Sequence, residues 1–146
     1  MKLKENEQFH FGVYGICLHE DKVLVIKKSR GPYKGLYDLP GGRVEFGEKV
    51  EVTLQREFEE EVGVSSLKEI KFIGYNEYFC EFTNDASEVK NFHHVGLYFT
   101  VSCNVADIKT EADGHDSLGA VLVSLKELSL ENCSQIAYEM VQKCTK

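Results

Sequence analysis

The sequence predicts an α/β domain in which a mixed sheet carries helices on both sides. Three observations predict it. Short runs rich in β-branched and aromatic residues precede and follow one central stretch with helical periodicity, and a second helical pattern closes the chain. The 146 residues suit one compact domain spanning 1–146. A domain of this size buries roughly 68–70% of its unfolded surface, so it needs no disulfide or metal staple.

The elements follow in order. Residues 11–18 and 22–27 read as a hairpin around the polar stretch His19-Glu20-Asp21. Residues 29–34 contain Arg-Gly-Pro, a loop signal. Residues 36–39 form a short extended piece that Pro40-Gly41-Gly42 stops. Over 49–62, Val50, Leu54, Phe58 and Val62 recur every four residues as an apolar stripe, and Gly63 supplies the stop. Residues 70–82 and 92–101 read as long strands whose Phe and Tyr residues serve as sheet core, and 118–123 as another strand. Residues 134–143 close the chain as a helix with Ile136, Ala137, Met140 and Val141 on its apolar face.

Composition narrows the function. No apolar run reaches the roughly 18 residues of a membrane helix, and residues 1–10 are polar and mixed in charge, unlike a secretion signal. The expectation is a cytoplasmic protein without membrane partners. Cys17, Cys80, Cys103, Cys133 and Cys144 are odd in number and widely spaced, which reads as free thiols buried as small hydrophobes. A net charge of −7 repels a nucleic acid polymer but not a small phosphate ligand bound with a dication.

The chemistry lies in residues 42–64. On a helical wheel Glu57, Glu60 and Glu61 are three and four positions apart, so their carboxylates gather together, with Glu57 and Glu61 beside the Val50-Leu54-Phe58 stripe, whereas Glu59 points to solvent. Like charges at these spacings destabilise a helix by roughly 0.2–0.5 kcal/mol per pair, and partial burial adds desolvation. A dication relieves both. Hard oxygens without an imidazole or thiolate cluster favour Mg²⁺ or Mn²⁺, and Mg²⁺ commonly shares a substrate phosphate. Taken alone, three glutamates on a helix are more often a solvated face. The neighbours shift that balance: Gly41-Gly42 allows close backbone approach to a ligand, and Arg56 is placed to pair with Glu48.

Gly42, five residues, Glu48, seven residues, Arg56-Glu57-Phe58, one residue, Glu60-Glu61, one residue, Gly63-Val64 resembles the signature box of the Nudix hydrolases, and Leu39-Pro40-Gly41-Gly42 resembles that family's lead-in. Phe58 stands where the family usually has an aliphatic residue. The resemblance implies an α/β/α sandwich around a mixed sheet, and water attack on a phosphorus of a nucleoside diphosphate linked to another group. It implies Glu57, Glu60, Glu61 and the carbonyl of Gly42 as Mg²⁺ or Mn²⁺ ligands, and Arg56 with Glu48 as the orienting pair. The acid serving as base varies within the family.

Outside the box, the family often places a further acid near Asp113 and Asp116, as a ligand or a base, with Asp116 the foremost metal candidate; a plain polar turn around Asp113-Gly114 is the alternative reading. Arg30 and Lys28 are candidates to clamp a phosphate, Arg30 foremost, and Tyr37 to stack on a base, whereas Tyr14 reads as core. His93 and His94 face opposite sides of a strand, so one of them lines the ligand face, although a satisfied structural histidine is the plainer reading. His115 has no clear partner. The expected partner is a small nucleotide, with a homodimer left open. A nucleoside triphosphate, ordinary or oxidised, leads as substrate. ADP-ribose or another nucleotide sugar follows, because the downstream proline frequent in ADP-ribose-specific members has no counterpart after Pro40. A nucleotide-sensing module without catalysis is a further reading, and a purely structural domain the last.

Overall fold

A computed structural model describes residues 2–112, 114 and 117–146. Its strands are β1 (Glu7–His19), β2 (Lys22–Lys28), β3 (Tyr37–Asp38), β4 (Gly41–Arg43), β5 (Lys68–Thr83), β6 (Val89–Ser102) and β7 (Ser117–Ser124). Its helices are α1 (Val50–Val62) and α2 (Gln135–Thr145). A single turn of 3-10 helix covers Val105–Asp107.

The sheet runs β3-β2-β1-β6-β5, with β4 added against β1 and β7 against β2. It is mixed: β1 and β6 are parallel over a long register from Glu7↔Asn91 to Cys17↔Val101, whereas β5 and β6 are antiparallel. Central strands buried on both faces read as continuous apolar runs, and residue alternation assigns them to two cores. Tyr14, Ile16, Val23, Val25 and Tyr98 pack with Ile136, Ala137 and Met140 of α2. Val13, Cys17, Leu24, Ile26 and Phe99 pack with Leu54, Phe58 and Val62 of α1. The expected α/β/α layering is therefore present. Cys17 and Cys133 are buried and all five cysteines are free thiols, and none of the described helices is long and apolar enough to cross a membrane.

Three expectations are corrected. The β1–β2 hairpin pairs only at its tip, Leu18↔Val23 and His19↔Lys22. Beyond it β1 turns its edge to the 40–43 segment, beginning with Gly15 N–H to the Pro40 carbonyl at 3.0 Å, and β2 pairs with β7 instead. Gly41-Gly42 accordingly does not stop an extended piece but starts a strand of its own, with Gly41 opposite Tyr14 and Gly42 opposite Val13. Finally, not all aromatics of β5 are core. Phe72, Tyr75 and Phe79 are exposed, while Tyr78 and Phe82 pack inward. The period of two is real, but α1 leaves the outer part of its side of the sheet uncovered, and Phe79 there stacks on His93 at 4.1 Å between ring centroids.

Candidate active site

The site forms where β4 crosses the α1 face. Gly41 has φ +147°, and a Cβ there would lie 2.1 Å from the Val13 carbonyl oxygen; only glycine lets the chain enter the sheet this way. At Gly42 a Cβ would lie 2.6 Å from the Glu57 carboxylate, so the missing side chain is what brings backbone and acid together.

Helix α1 presents the acids as its periodicity predicts. Glu61 is buried, Glu57 half-buried, and Glu59 and Glu60 exposed. The helix ends on Gly63 at φ 81°, whose N–H reaches the Glu59 carbonyl at 3.1 Å. No basic residue occupies its last turn, so Glu59, Glu60 and Glu61 sit at the negative end of the helix dipole, where each anion is disfavoured by roughly 0.3–1 kcal/mol. Stability alone does not account for acids placed there.

Arg56 organises the cluster. Its Nε and Nη2 donate to Glu48 at 3.0 and 2.9 Å, a bidentate pair that clamps the turn before α1 onto the helix. Its Nη1 donates to Glu57 at 2.9 Å and lies 3.5 Å from Glu60, and Nη2 also reaches the Arg43 carbonyl at 3.4 Å. Thr53, fully buried, donates its hydroxyl to Glu48 at 2.6 Å. The Gly41 N–H donates to Glu61 at 2.9 Å, pinning β4 to the helix. Arg56 first, and Thr53 second, pull the Glu48 carboxyl down to about 2, and Glu48 in turn raises Arg56 above its already high range.

These shifts have a pH signature. A carboxylate depressed in the folded state contributes stability that is present above its unfolded value, near 4.5, and is lost as pH falls through about 2. Replacing Arg56 by Gln removes the main cause. The gap in melting temperature between the native chain and Arg56→Gln is therefore expected to be full at pH 6, to shrink below about pH 4.5, and to close near pH 2. Thermal melts across that range check it; a gap that ignores pH contradicts the pairing.

Among the described residues no three His, Cys, Asp or Glu side chains converge on one point as a closed metal cage. Glu57 and Glu60 turn to Arg56, and Glu61 to the Gly41 N–H. The donor set nonetheless fits a hard dication: carboxylate oxygens from Glu57, Glu60 and Glu61, with the Gly42 backbone held against Glu57 by the absence of a side chain. Asp113, His115 and the candidate ligand Asp116 lie outside the described residues.

A cavity of about 500 Å³ opens over this cluster, and its lining includes Gly41, Gly42, Glu57 and Glu60 together with Lys28, Arg30, Arg43 and Arg56. Arg30 and Lys28 are thus brought to the acids. Tyr37 is not; it lines neither this cavity nor its neighbour. Its backbone bonds Asn132 and Ser134 ahead of α2, and its ring lies under Lys27 Nζ at 5.9 Å. Tyr33, from the preceding loop, takes the aromatic place beside the site. Sequence reasoning also missed Thr53, Arg43 and His10, and it read Tyr14 as core, whereas Tyr14 is at once buried and on the cavity wall. The adjacency of Thr53 to Glu48 was available as a spacing of five across the start of a helix.

A seven-stranded mixed sheet between two helices, with an acid-bearing helix clamped to a glycine strand, defines the class as that of an α/β sandwich. The family model for the NUDIX domain matches residues 8–144, and the chain belongs to the Nudix family, whose members generally use divalent metal ions. Solved structures support the same fold. A NUDIX hydrolase from Nitrosomonas europaea superposes with a TM-score of 0.67 at 19% identity, covering 94% of this chain and 89% of that one. A MutT NUDIX hydrolase from Burkholderia pseudomallei gives 0.60 at 20% identity, covering 92% and 97%. A stretch of 52 residues is 48% identical to the ADP-ribose pyrophosphatase of Methanocaldococcus jannaschii, which is 36% of this chain and 31% of that protein.

Proposed function

We propose that this chain is a Mg²⁺- or Mn²⁺-dependent pyrophosphohydrolase of the cytoplasm that cleaves a nucleoside diphosphate-linked small molecule, foremost a nucleoside triphosphate to monophosphate and pyrophosphate. The observation that carries the reading is one cavity lined both by Glu57 and Glu60 and by Lys28, Arg30 and Arg43, with Gly41 and Gly42 in the same lining. The cations of this lining suit phosphate oxygens, and arginine grips them by paired donors. Its acids Glu57 and Glu60 suit a dication, which would neutralise charge on the phosphate oxygens and make a bound water more acidic.

The chain's own residues do the rest. Arg56 and Glu48 hold the helix and its preceding turn in one orientation, so the three acids arrive preorganised. Lys28, Arg30 and Arg43 align the diphosphate. An acid of the cluster not fully used as a ligand accepts the proton of the attacking water. Asp116 is proposed as an additional ligand, and Gly41 and Gly42 as the backbone surface against which the phosphates lie. The retention of all three glutamates favours an enzyme over a sensing module, and a small ligand suits an acidic chain better than a nucleic acid polymer.

The 48% identity to an ADP-ribose pyrophosphatase favours ADP-ribose as the second substrate to examine. A panel of nucleoside triphosphates and ADP-ribose, incubated with Mg²⁺ or Mn²⁺ in ¹⁸O water, tests both. Pyrophosphate release with one labelled product supports the triphosphate reading, and AMP with ribose phosphate supports the other. Silence across the panel overturns the enzyme.

A further inference from the structure

Beside the acidic cavity lies a second one of about 580 Å³, and the two share His10, Tyr14, Lys28, Arg30 and Arg43 along their seam. A nucleotide whose phosphates face the acids therefore has its base directed toward this neighbour. Phe82, Phe92 and Tyr33 give it an aromatic wall. Its polar centre is His94, 1% exposed. The Tyr14 hydroxyl lies 2.8 Å from His94 Nε2, and the Tyr33 hydroxyl lies 2.7 Å from His94 Nδ1. Tyr14 is bonded in addition to His10 Nε2 at 3.0 Å. Four side chains from β1, β6 and the loop between β2 and β3 thus form one hydrogen-bonded chain.

Counting protons along this chain constrains it. Burial first, with His10, Lys28 and His93 adding to it, drives His94 down to about 3, so its ring is neutral at physiological pH. A neutral imidazole has one N–H and one bare nitrogen. One tyrosine hydroxyl must then donate to the ring and the other must accept from it. When Tyr14 donates to Nε2, the Nδ1–H donates to Tyr33, and the Tyr33 hydroxyl keeps its own hydrogen for a ligand. When Tyr33 donates to Nδ1, the Nε2–H donates to Tyr14, Tyr14 donates to His10, and Tyr33 offers a ligand only its lone pairs. With His10 neutral, both arrangements contain the same three hydrogen bonds along the His10–Tyr14–His94–Tyr33 contacts. They differ in which nitrogens of His94 and His10 carry hydrogen and in the turning of two hydroxyls, with no net proton gained.

We infer that Tyr33 is a specificity-determining residue whose hydroxyl meets the polar edge of the bound base in either sense, as donor or as acceptor, so that the cavity takes amino-purine and oxo-purine nucleotides alike. This rests on the nucleotide reading above. A rigid hydroxyl would match one base and leave the other with two facing donors or two facing acceptors, a mismatch that hydrogen-bonding sites reject strongly. The reversible chain removes that penalty.

AMP and IMP, which differ at this edge, are the probes, titrated calorimetrically into the full chain with Mn²⁺ present. The native protein is expected to bind the two within about threefold of each other, and Tyr33→Phe to weaken both by about tenfold while Mn²⁺ binding, followed by electron paramagnetic resonance, is unchanged. Independently of any variant, ¹⁵N resonances of His94 are expected to show hydrogen on Nε2 with AMP bound and on Nδ1 with IMP bound. The same tautomer in both complexes, preference for one nucleotide beyond about thirtyfold, no binding of either, or a Tyr33→Phe effect on only one or neither of them overturns the inference. These results are separate from the hydrolysis panel: a protein that cleaves nucleotides yet shows a fixed tautomer keeps its proposed function and loses this property alone.

Discussion

Glu60→Gln is expected to reduce turnover by roughly 10²–10⁴-fold while leaving the fold intact. Glu60 is the most exposed of the three acids, with its side chain 48% accessible, and among the described residues its one ion pair is a loose contact to Arg56 Nη1 at 3.5 Å. Removing its charge therefore takes little from the folded state, and surface changes of this kind move stability by only about 0.5 kcal/mol. The removed like charge near the end of α1 even acts in the stabilising direction. Activity and melting temperature measured on one preparation separate the roles. Full activity in Glu60→Gln excludes the residue from the mechanism. A Glu61→Gln change would not be as clean, because Glu61 is buried and holds the Gly41 N–H at 2.9 Å, so fold and activity would fall together.

Gly41→Ala is expected to be the most destabilising small substitution near the site. The new Cβ would sit 2.1 Å from the Val13 carbonyl oxygen and 2.7 Å from the Tyr14 Cα, both backbone atoms in a central strand that cannot move aside. The φ of +147° adds conformational strain for any residue with a side chain. Together these cost on the order of 3–5 kcal/mol, a fall in melting temperature of roughly 10–15 °C. Gly47→Ala makes the comparison: its φ is also positive, but nothing lies within 4 Å of its Cβ position, so only the strain remains. Equal losses at the two positions would refute the packing argument.

The contrast between what could and could not be read from sequence follows from distance along the chain. The apolar stripe of α1 and the acids beside it repeat at a helical period, so both were visible, as was the Glu48–Arg56 pair, eight residues apart in a turn-to-helix spacing. The Tyr33–His94 and Tyr14–His94 contacts join residues 61 and 80 positions apart. No local pattern encodes them; they exist because β1 and β6 pair in parallel with His10 opposite His94. Strand β4 was hidden by its three-residue length and by glycines that ordinarily signal a stop. The alternation of Tyr75 and Phe79 gave a sheet face correctly but carried no information on whether a helix covers it, and Phe72 joins that face only through the bulge between Phe72 and Gly74. Tyr37 illustrates the same limit: its aromatic ring suggested stacking on a base, and the Asn132 and Ser134 backbone claimed its strand instead.

The central claim is that the acids of one helical turn, now held by Arg56 and the Gly41 amide, gather around a hard cation in the working protein. A crystal grown with Mn²⁺ and a non-hydrolysable nucleotide, examined by anomalous scattering, tests it most directly. The account predicts an anomalous peak within coordination distance of the Glu57 and Glu60 carboxylates and a phosphate oxygen. Density showing those carboxylates still on Arg56, with the nucleotide bound and no ion beside them, would contradict it.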